Sequence, residues 1–209
     1  MSKITGLKQG KTRAKRINVY VDDKFALSLT PETAKKERLS AGQDLGKEAL
    51  EALAEKDIRQ QCFNAAVRFL GYRPRSESEI KQRLVRYGFE EIIIGKTLDK
   101  LKDSGFVNDT DFARLWVENR DALRPRSKSM TKMELKRKGL EADIIENAIS
   151  AIDERDSAYR AAQSRARRLE SLDYNDFRLR LGQYLGRRGF SYAIIKEITE
   201  KVWKEMRKK

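Results

Sequence analysis

The chain has 209 residues, enough for one large or two small domains. Apolar residues make up 39% and charged residues 37%, so the buried fraction is thin and suits an elongated stack better than a single globe. There are 46 Lys and Arg, 32 Asp and Glu and no His, for a net charge of +14; the excess points to nucleic acid or an acidic partner surface, and the missing imidazole removes the commonest general base and metal ligand.

In chain order, Ile17, Val19 and Val21 alternate with Asn18 and Tyr20. Asp22-Asp23-Lys24 then supplies a turn, and Phe25, Leu27 and Leu29 alternate again, which predicts a β-hairpin. Ile4 to Leu7 is a candidate third strand, joined through the basic loop Lys8 to Arg16. Thr30-Pro31-Glu32 starts a short helix, with Thr30 as N-cap and proline in the first turn, running to about Leu39.

From about Leu45 onward the pattern is helical and repetitive. Arg-Pro-Arg-Ser occurs at Arg73 to Ser76 and again at Arg124 to Ser127, 51 positions apart. Gly88 and Gly139 keep that offset and Gly189 follows 50 residues later, each inside a Leu-x-x-x-Gly phrase with an apolar residue behind it. Self-similarity at such a period is the mark of a repeat architecture. Ser76 and Glu79 form a capping box, and each glycine is placed to end a helix in the left-handed conformation. Past the glycines, Ile94, Leu98 and Leu101 match Ile145, Ile149 and Ile152, and then Ile195, Thr199 and Val202. These are the apolar stripes of helices packed on one side. Helices over about 57–71, 111–123 and 155–169 complete three triplets.

The expected fold is therefore mainly α: an elongated solenoid of three three-helix repeats (46–108, 109–153 and 154–209) behind a small β-rich domain at 1–45. Cys62, the single cysteine, excludes an intramolecular disulfide, fits a reducing cytoplasm and reads as a packed, inert thiol. The first residues hold no hydrophobic signal core and no apolar run reaches membrane-spanning length, so a cytoplasmic location without membrane contact is expected.

No chemistry stands out. Gly10-Lys11-Thr12 lacks the spacing and setting of a phosphate-binding loop, and Gly95-Lys96-Thr97 falls inside a predicted helix. One cysteine cannot build a zinc site, and no calcium loop is present. The expectation is a protein that is not an enzyme and carries no cofactor.

The basic clusters are the candidate binding residues. Arg73, Arg75, Arg124 and Arg126 flank the connector prolines, where a planar guanidinium suits phosphate or carboxylate. Arg86, then Lys136, Arg137 and Lys138, then Arg187 and Arg188 precede the glycines, where cations also favour the negative end of the helix dipole. Arg165, Arg167 and Arg168 lie on the first helix of the last repeat. Net charge is +4 over 1–53, +3 over 54–108, zero over 109–153 and +7 over 154–209, so the last repeat carries half of it. Tyr72, Tyr87, Trp116, Tyr184 and Tyr192 fall mostly at apolar-periodic positions rather than as a stacking platform.

The repeated triplet, the Arg-x-Arg-Ser step and the run Tyr184 to Tyr192 resemble the RecX family over about residues 55–205, as does Val107 to Ala113. The leading β segment is similar to an extension found in some members. The resemblance implies a regulator, usually an inhibitor, of the RecA recombinase. It implies binding to RecA filaments on single-stranded DNA, in the helical groove or at the growing end. ATP hydrolysis, strand exchange and stimulation of SOS-repressor self-cleavage would fall, and weak direct DNA binding is implied for some members. Basic residues of the concave face are the implied contacts, and a monomer is expected. The second connector, Arg124 to Met130, departs from the family in lacking a glycine. The alternatives are a stand-alone nucleic-acid-binding helical-repeat protein and a scaffold for an acidic protein.

Overall fold

The computed structural model describes residues 2–10 and 15–207. Three antiparallel strands, β1 (Ile4–Gln9), β2 (Ile17–Val21) and β3 (Lys24–Leu29), form one sheet in chain order. Asp22 and Asp23 both have positive φ, 47° and 65°, which is the backbone of the two-residue turn that matches the twist of a hairpin. Asp22 accepts the Lys3 N–H at 3.0 Å, tying the turn to the chain just before β1. Part of the basic loop, including Lys11 and Thr12, lies outside the described residues.

The sheet buries Ile4, Val19, Val21 and Leu29 against Leu45 and Leu53. Helix α1 (Pro31–Lys36) is capped by the Thr30 hydroxyl, 3.3 Å from the Thr33 N–H. It stops earlier than the expected Leu39, because Arg38 takes a positive φ of 50°.

Helix α2 (Lys47–Leu70) differs from expectation. It is one helix of 24 residues that starts well before Asp57. Its first half gives Leu50 and Leu53 to the sheet core, while further along Cys62 and Ala66 are buried. No proline or glycine interrupts residues 47–70, so the helix continues from the β module into the first repeat. Asp57, 2% exposed, sits midway and accepts from the Thr30 N–H (2.6 Å), the Arg16 guanidinium (2.7 Å) and the Gln61 amide (2.8 Å). Burial opposes its charge, but these donors outweigh burial and hold the carboxyl below the usual range. Burial also pushes the Cys62 thiol up, as expected of an inert cysteine.

The other helices are α3 (Glu77–Arg86), α4 (Glu91–Asp103), α5 (Asp109–Leu123), α6 (Lys128–Arg137), α7 (Ala142–Ser150), α8 (Glu154–Ala166), α9 (Tyr174–Gly186) and α10 (Tyr192–Met206). The chain divides into two compact units, Met1–Pro74 with Ile80–Phe106, and Arg75–Glu79 with Val107–Lys209. In the first unit Ile94, Leu98 and Leu101 of α4 are buried, as their spacing predicted.

The second unit has two cores. One joins Phe112, Ala113 and Val117 of α5 to Leu135, Ile145 and Ile149. The other joins the alanines of α8 to Phe177, Leu181, Leu185, Ile198 and Val202. The α10 stripe is turned slightly from the predicted one: Ile198 is fully packed, and Ile195 lies at the edge. Between the cores, Arg160 reaches Asp121 at 2.5 Å and Ser157 donates to the same carboxylate at 2.6 Å. Burial raises the Asp121 pKa, but these two donors reverse the shift and lower it.

Glycine is required at three helix ends, with φ of 83° at Gly88, 77° at Gly139 and 85° at Gly189. The N–H groups of Phe89, Leu140 and Phe190 each donate to the leucine carbonyl five residues back, at 3.3–3.4 Å. Two of these ends have a second task. A Cβ on Gly139 would overlap Ser78, and one on Gly189 would overlap Ser127 and Met130. At these points Ser76 Oγ donates to the Lys138 carbonyl at 2.6 Å, and the Ser127 N–H donates to the Arg188 carbonyl at 3.0 Å. Each Arg-Pro-Arg-Ser serine therefore caps its own helix and seats it on the glycine turn of the next triplet.

Candidate partner-binding surface

The structure divides the candidate cations into those with internal tasks and those facing solvent. In both connectors the inner arginine is turned inward. Arg126 meets Glu134 at 2.5 Å, and Arg75 lies 4.0 Å from Glu79 with its side chain 16% exposed. Arg73 donates to the carbonyl of its neighbour Pro74 at 2.9 Å. Arg124, just past the end of α5, is exposed and makes no side-chain ion pair among the described residues. The residues preceding the outer arginines, Tyr72 and Leu123, are 80% and 77% exposed. The repeat thus presents an apolar knob beside an arginine twice, 51 positions apart.

Glu134 organises the second triplet. It accepts from Trp116 Nε1 (2.9 Å), Arg120 Nε (2.8 Å) and Arg126. The Trp116 ring carries Arg120 at 4.9 Å and Lys138 at 5.0 Å, and Lys138 also pairs with Glu79 at 2.7 Å. Fifty positions on, Tyr184 occupies the Glu134 position. It gathers Arg165 at 5.7 Å and Arg188 at 4.3 Å by cation–π contact and accepts from Arg188 at 2.7 Å. A carboxylate hub in one repeat is replaced by an aromatic hub in the next. Arg75, Arg126, Lys138, Arg165 and Arg188 are thus partly buried members of these frameworks; the first three are paired with carboxylates, whereas Arg165 and Arg188 are anchored on a neutral ring.

Lys136, Arg137, Arg167, Arg168 and Arg187 are exposed, with no ion pair among the described residues. Arg86 is exposed as well, but its Nε turns back to the Gln82 carbonyl at 3.3 Å, the capping task open to a cation at a helix end. Arg178 and Arg180 on α9 were not singled out from the sequence, although both are exposed and flank Leu179, itself 59% exposed. Their spacing carried the signal, since both lie off the stripe formed by Phe177, Leu181 and Leu185.

The aromatic residues depart from the sequence expectation. Trp116 and Tyr184 are packed, but Tyr72, Tyr87 and Tyr192 are 80%, 52% and 78% exposed. Tyr87 and Tyr192 have exposed neighbours on both sides and Tyr72 lies in the turn after α2, so none of the three falls on a buried stripe. Among the described residues no cluster of His, Cys, Asp or Glu is placed to hold a metal ion, and no helix is long and apolar enough to cross a membrane.

Four family models match the chain in order: the regulatory protein RecX N-terminal domain over residues 2–46, and the first, second and third RecX three-helix domains over 62–101, 108–149 and 153–199. A regulatory protein RecX of Clostridium botulinum (strain Eklund 17B) is 30% identical over 205 residues, covering 96% of each chain. That of Clostridioides difficile (strain 630) is 30% identical over 97% of this chain and 96% of its own. A crystal structure of regulatory protein RecX shares the fold with a TM-score of 0.70 at 22% identity, over 96% of this chain and all of the other. The crystal structure of RecX from Lactobacillus salivarius gives a TM-score of 0.61 at 26% identity, over 70% of this chain and 97% of that one. Matched in order by four RecX family models and, over 96% of its length, by a relative 30% identical to it, the chain belongs to the RecX family of regulatory proteins.

Proposed function

We propose that this protein is a non-enzymatic inhibitor of RecA recombinase filaments. It binds as a monomer to the nucleoprotein filament on single-stranded DNA and lowers ATP hydrolysis, strand exchange and the self-cleavage of the SOS repressor. Family membership supports the partner. The observation that carries the contact is the solvent-facing cation set Arg124, Lys136, Arg137, Arg167, Arg168 and Arg187, held on a scaffold that engages Arg75, Arg126, Arg165 and Arg188 internally. Free cations beside exposed apolar side chains such as Leu123 suit a partner that offers both phosphate and protein surface.

The test is to titrate the protein into RecA already assembled on single-stranded DNA while following ATP hydrolysis. Progressive loss of hydrolysis at up to equimolar protein is expected. No effect at that ratio would overturn the reading, and tight, steeply salt-dependent binding to naked DNA alone would favour a stand-alone nucleic-acid-binding protein.

A further inference from the structure

A cleft of about 460 Å³ opens in the first unit between α1, α2 and α4. Its cations are Lys36 from α1, Lys56 and Arg59 from α2, and Lys96 and Lys100 from α4, against one carboxylate, Glu37. None of the candidates read from the sequence lines it. Glu37 is already engaged by Lys56 at 2.7 Å. Lys36 and Lys96 are exposed and make no ion pair among the described residues. Arg59 has only an exposed i,i+4 neighbour, Glu55, at 3.4 Å, a pairing of small consequence in water. The floor is apolar, formed by the half-buried Phe63 and Ile93, and Lys100 Nζ lies 4.2 Å from the Phe63 ring centre. Cations drawn together around an aromatic face, with their one acid spent, make a local positive field that attracts a polyanion, whose own condensed counterions are released on binding.

We propose that this cleft binds the phosphodiester backbone of single-stranded nucleic acid, with a base resting on the Phe63 face. The cations are mostly lysines, which bind phosphate as point charges and impose no bidentate geometry on it. Charge with an aromatic face is the combination that grips single strands without regard to sequence. The Gln60 amide, which also lines the cleft, donates one hydrogen bond to Asn64 at 2.9 Å. The volume lies in the lower half of the ~300–1,000 Å³ usual for ligand clefts, which suits a segment of single strand and not a duplex.

The test measures binding of the full chain to a fluorescein-labelled oligothymidylate by anisotropy over a salt series, with no RecA present. Lys36→Ala/Lys96→Ala removes two exposed, unpaired cations, and an unchanged melting curve verifies the fold. Two lost phosphate contacts should flatten the slope of log K against log salt by about 1.4 and weaken binding roughly 25-fold at 0.1 M salt. The control Lys24→Ala/Lys47→Ala loses the same charge from exposed sites outside the cleft and should lose less than about threefold. Equal losses in the two variants, or no loss in the first, would overturn the proposal. So would displacement of the oligonucleotide by polyglutamate as readily as by unlabelled oligothymidylate, which would assign the cleft to an acidic polypeptide. Because RecA is absent, either outcome leaves inhibition of the filament to be decided by its own experiment.

Discussion

Replacing Asp57 by alanine tests how the β module is fastened to the first repeat. The carboxylate is 2% exposed and accepts from Thr30 N–H, Arg16 and Gln61 at 2.6, 2.7 and 2.8 Å. Truncation leaves the Thr30 N–H buried without its acceptor, at about 1–3 kcal/mol. Arg16 is 27% exposed and keeps its hydrogen bond to Ser28, so it regains water, and its share is less than that of a wholly buried pair. The total is about 3 kcal/mol, or a fall in Tm of roughly 6–12 °C for a chain of this size. Urea unfolding followed by circular dichroism at pH 7 measures it. Asp57→Asn, which keeps an oxygen acceptor, should lose less. The pH dependence has a definite sign. The folded pKa is depressed, so the charge contributes fully above the unfolded value of about 3.9, and this is lost as pH falls through the folded value. The gap between wild type and Asp57→Asn should therefore narrow below about pH 4. An Asp57→Ala loss under about 1 kcal/mol, or a gap independent of pH, would refute the fastening.

The glycine ends should rank by crowding: Gly88→Ala pays only for its positive φ, about 1–2 kcal/mol, whereas Gly139→Ala and Gly189→Ala must also displace Ser78 or Met130 and should cost more in urea melts. Glu134→Ala removes the shared acceptor of Trp116, Arg120 and Arg126, each partly exposed, and should lower stability by about 2–3 kcal/mol. Arg124→Ala should weaken inhibition of the RecA filament with Tm unchanged, while Arg126→Ala should lower Tm through the lost Glu134 pair; the reverse pattern would exchange their roles.

Much of the fold was legible because it depends on local chemistry. The Asp-Asp turn, the Thr30 cap, the Ser76–Glu79 box and the glycine ends each rest on residues within a few positions of one another, and all appear where the spacing placed them. The start of α2 was misplaced although its signal was local, the absence of proline and glycine over 47–70, whereas nothing near Asp57 says that its partners are Arg16 and Thr30, 41 and 27 positions away. The candidate cations were legible as a composition, not as a surface. Arg124 and Arg126 look alike in a repeated tetrapeptide, and only the position of Glu134 separates them. The basic cleft escaped notice for the same reason, since its cations come from three helices and no two are adjacent in sequence.

The hubs also explain why net charge alone is a poor guide to where a partner binds. The second triplet is neutral, with 9 basic and 9 acidic residues, yet it exposes Arg124, Lys136 and Arg137 because Glu134 and Glu79 neutralise the arginines and lysine packed behind them. The third has 15 basic residues to 8 acidic, and Arg165 and Arg188 are held against Tyr184, which fixes their position without neutralising them. A carboxylate hub cancels the field of its cations, whereas an aromatic hub fixes their position and leaves the field standing. Two cation populations follow in the last triplet: an anchored pair that attracts a polyanion at a distance, and the exposed side chains of Arg167, Arg168 and Arg187, which make no ion pair among the described residues and face solvent. Tyr184→Glu would turn the third hub into a copy of the second. It should preserve the framework through ion pairs while slowing association with an anionic partner, an effect that added salt should erase.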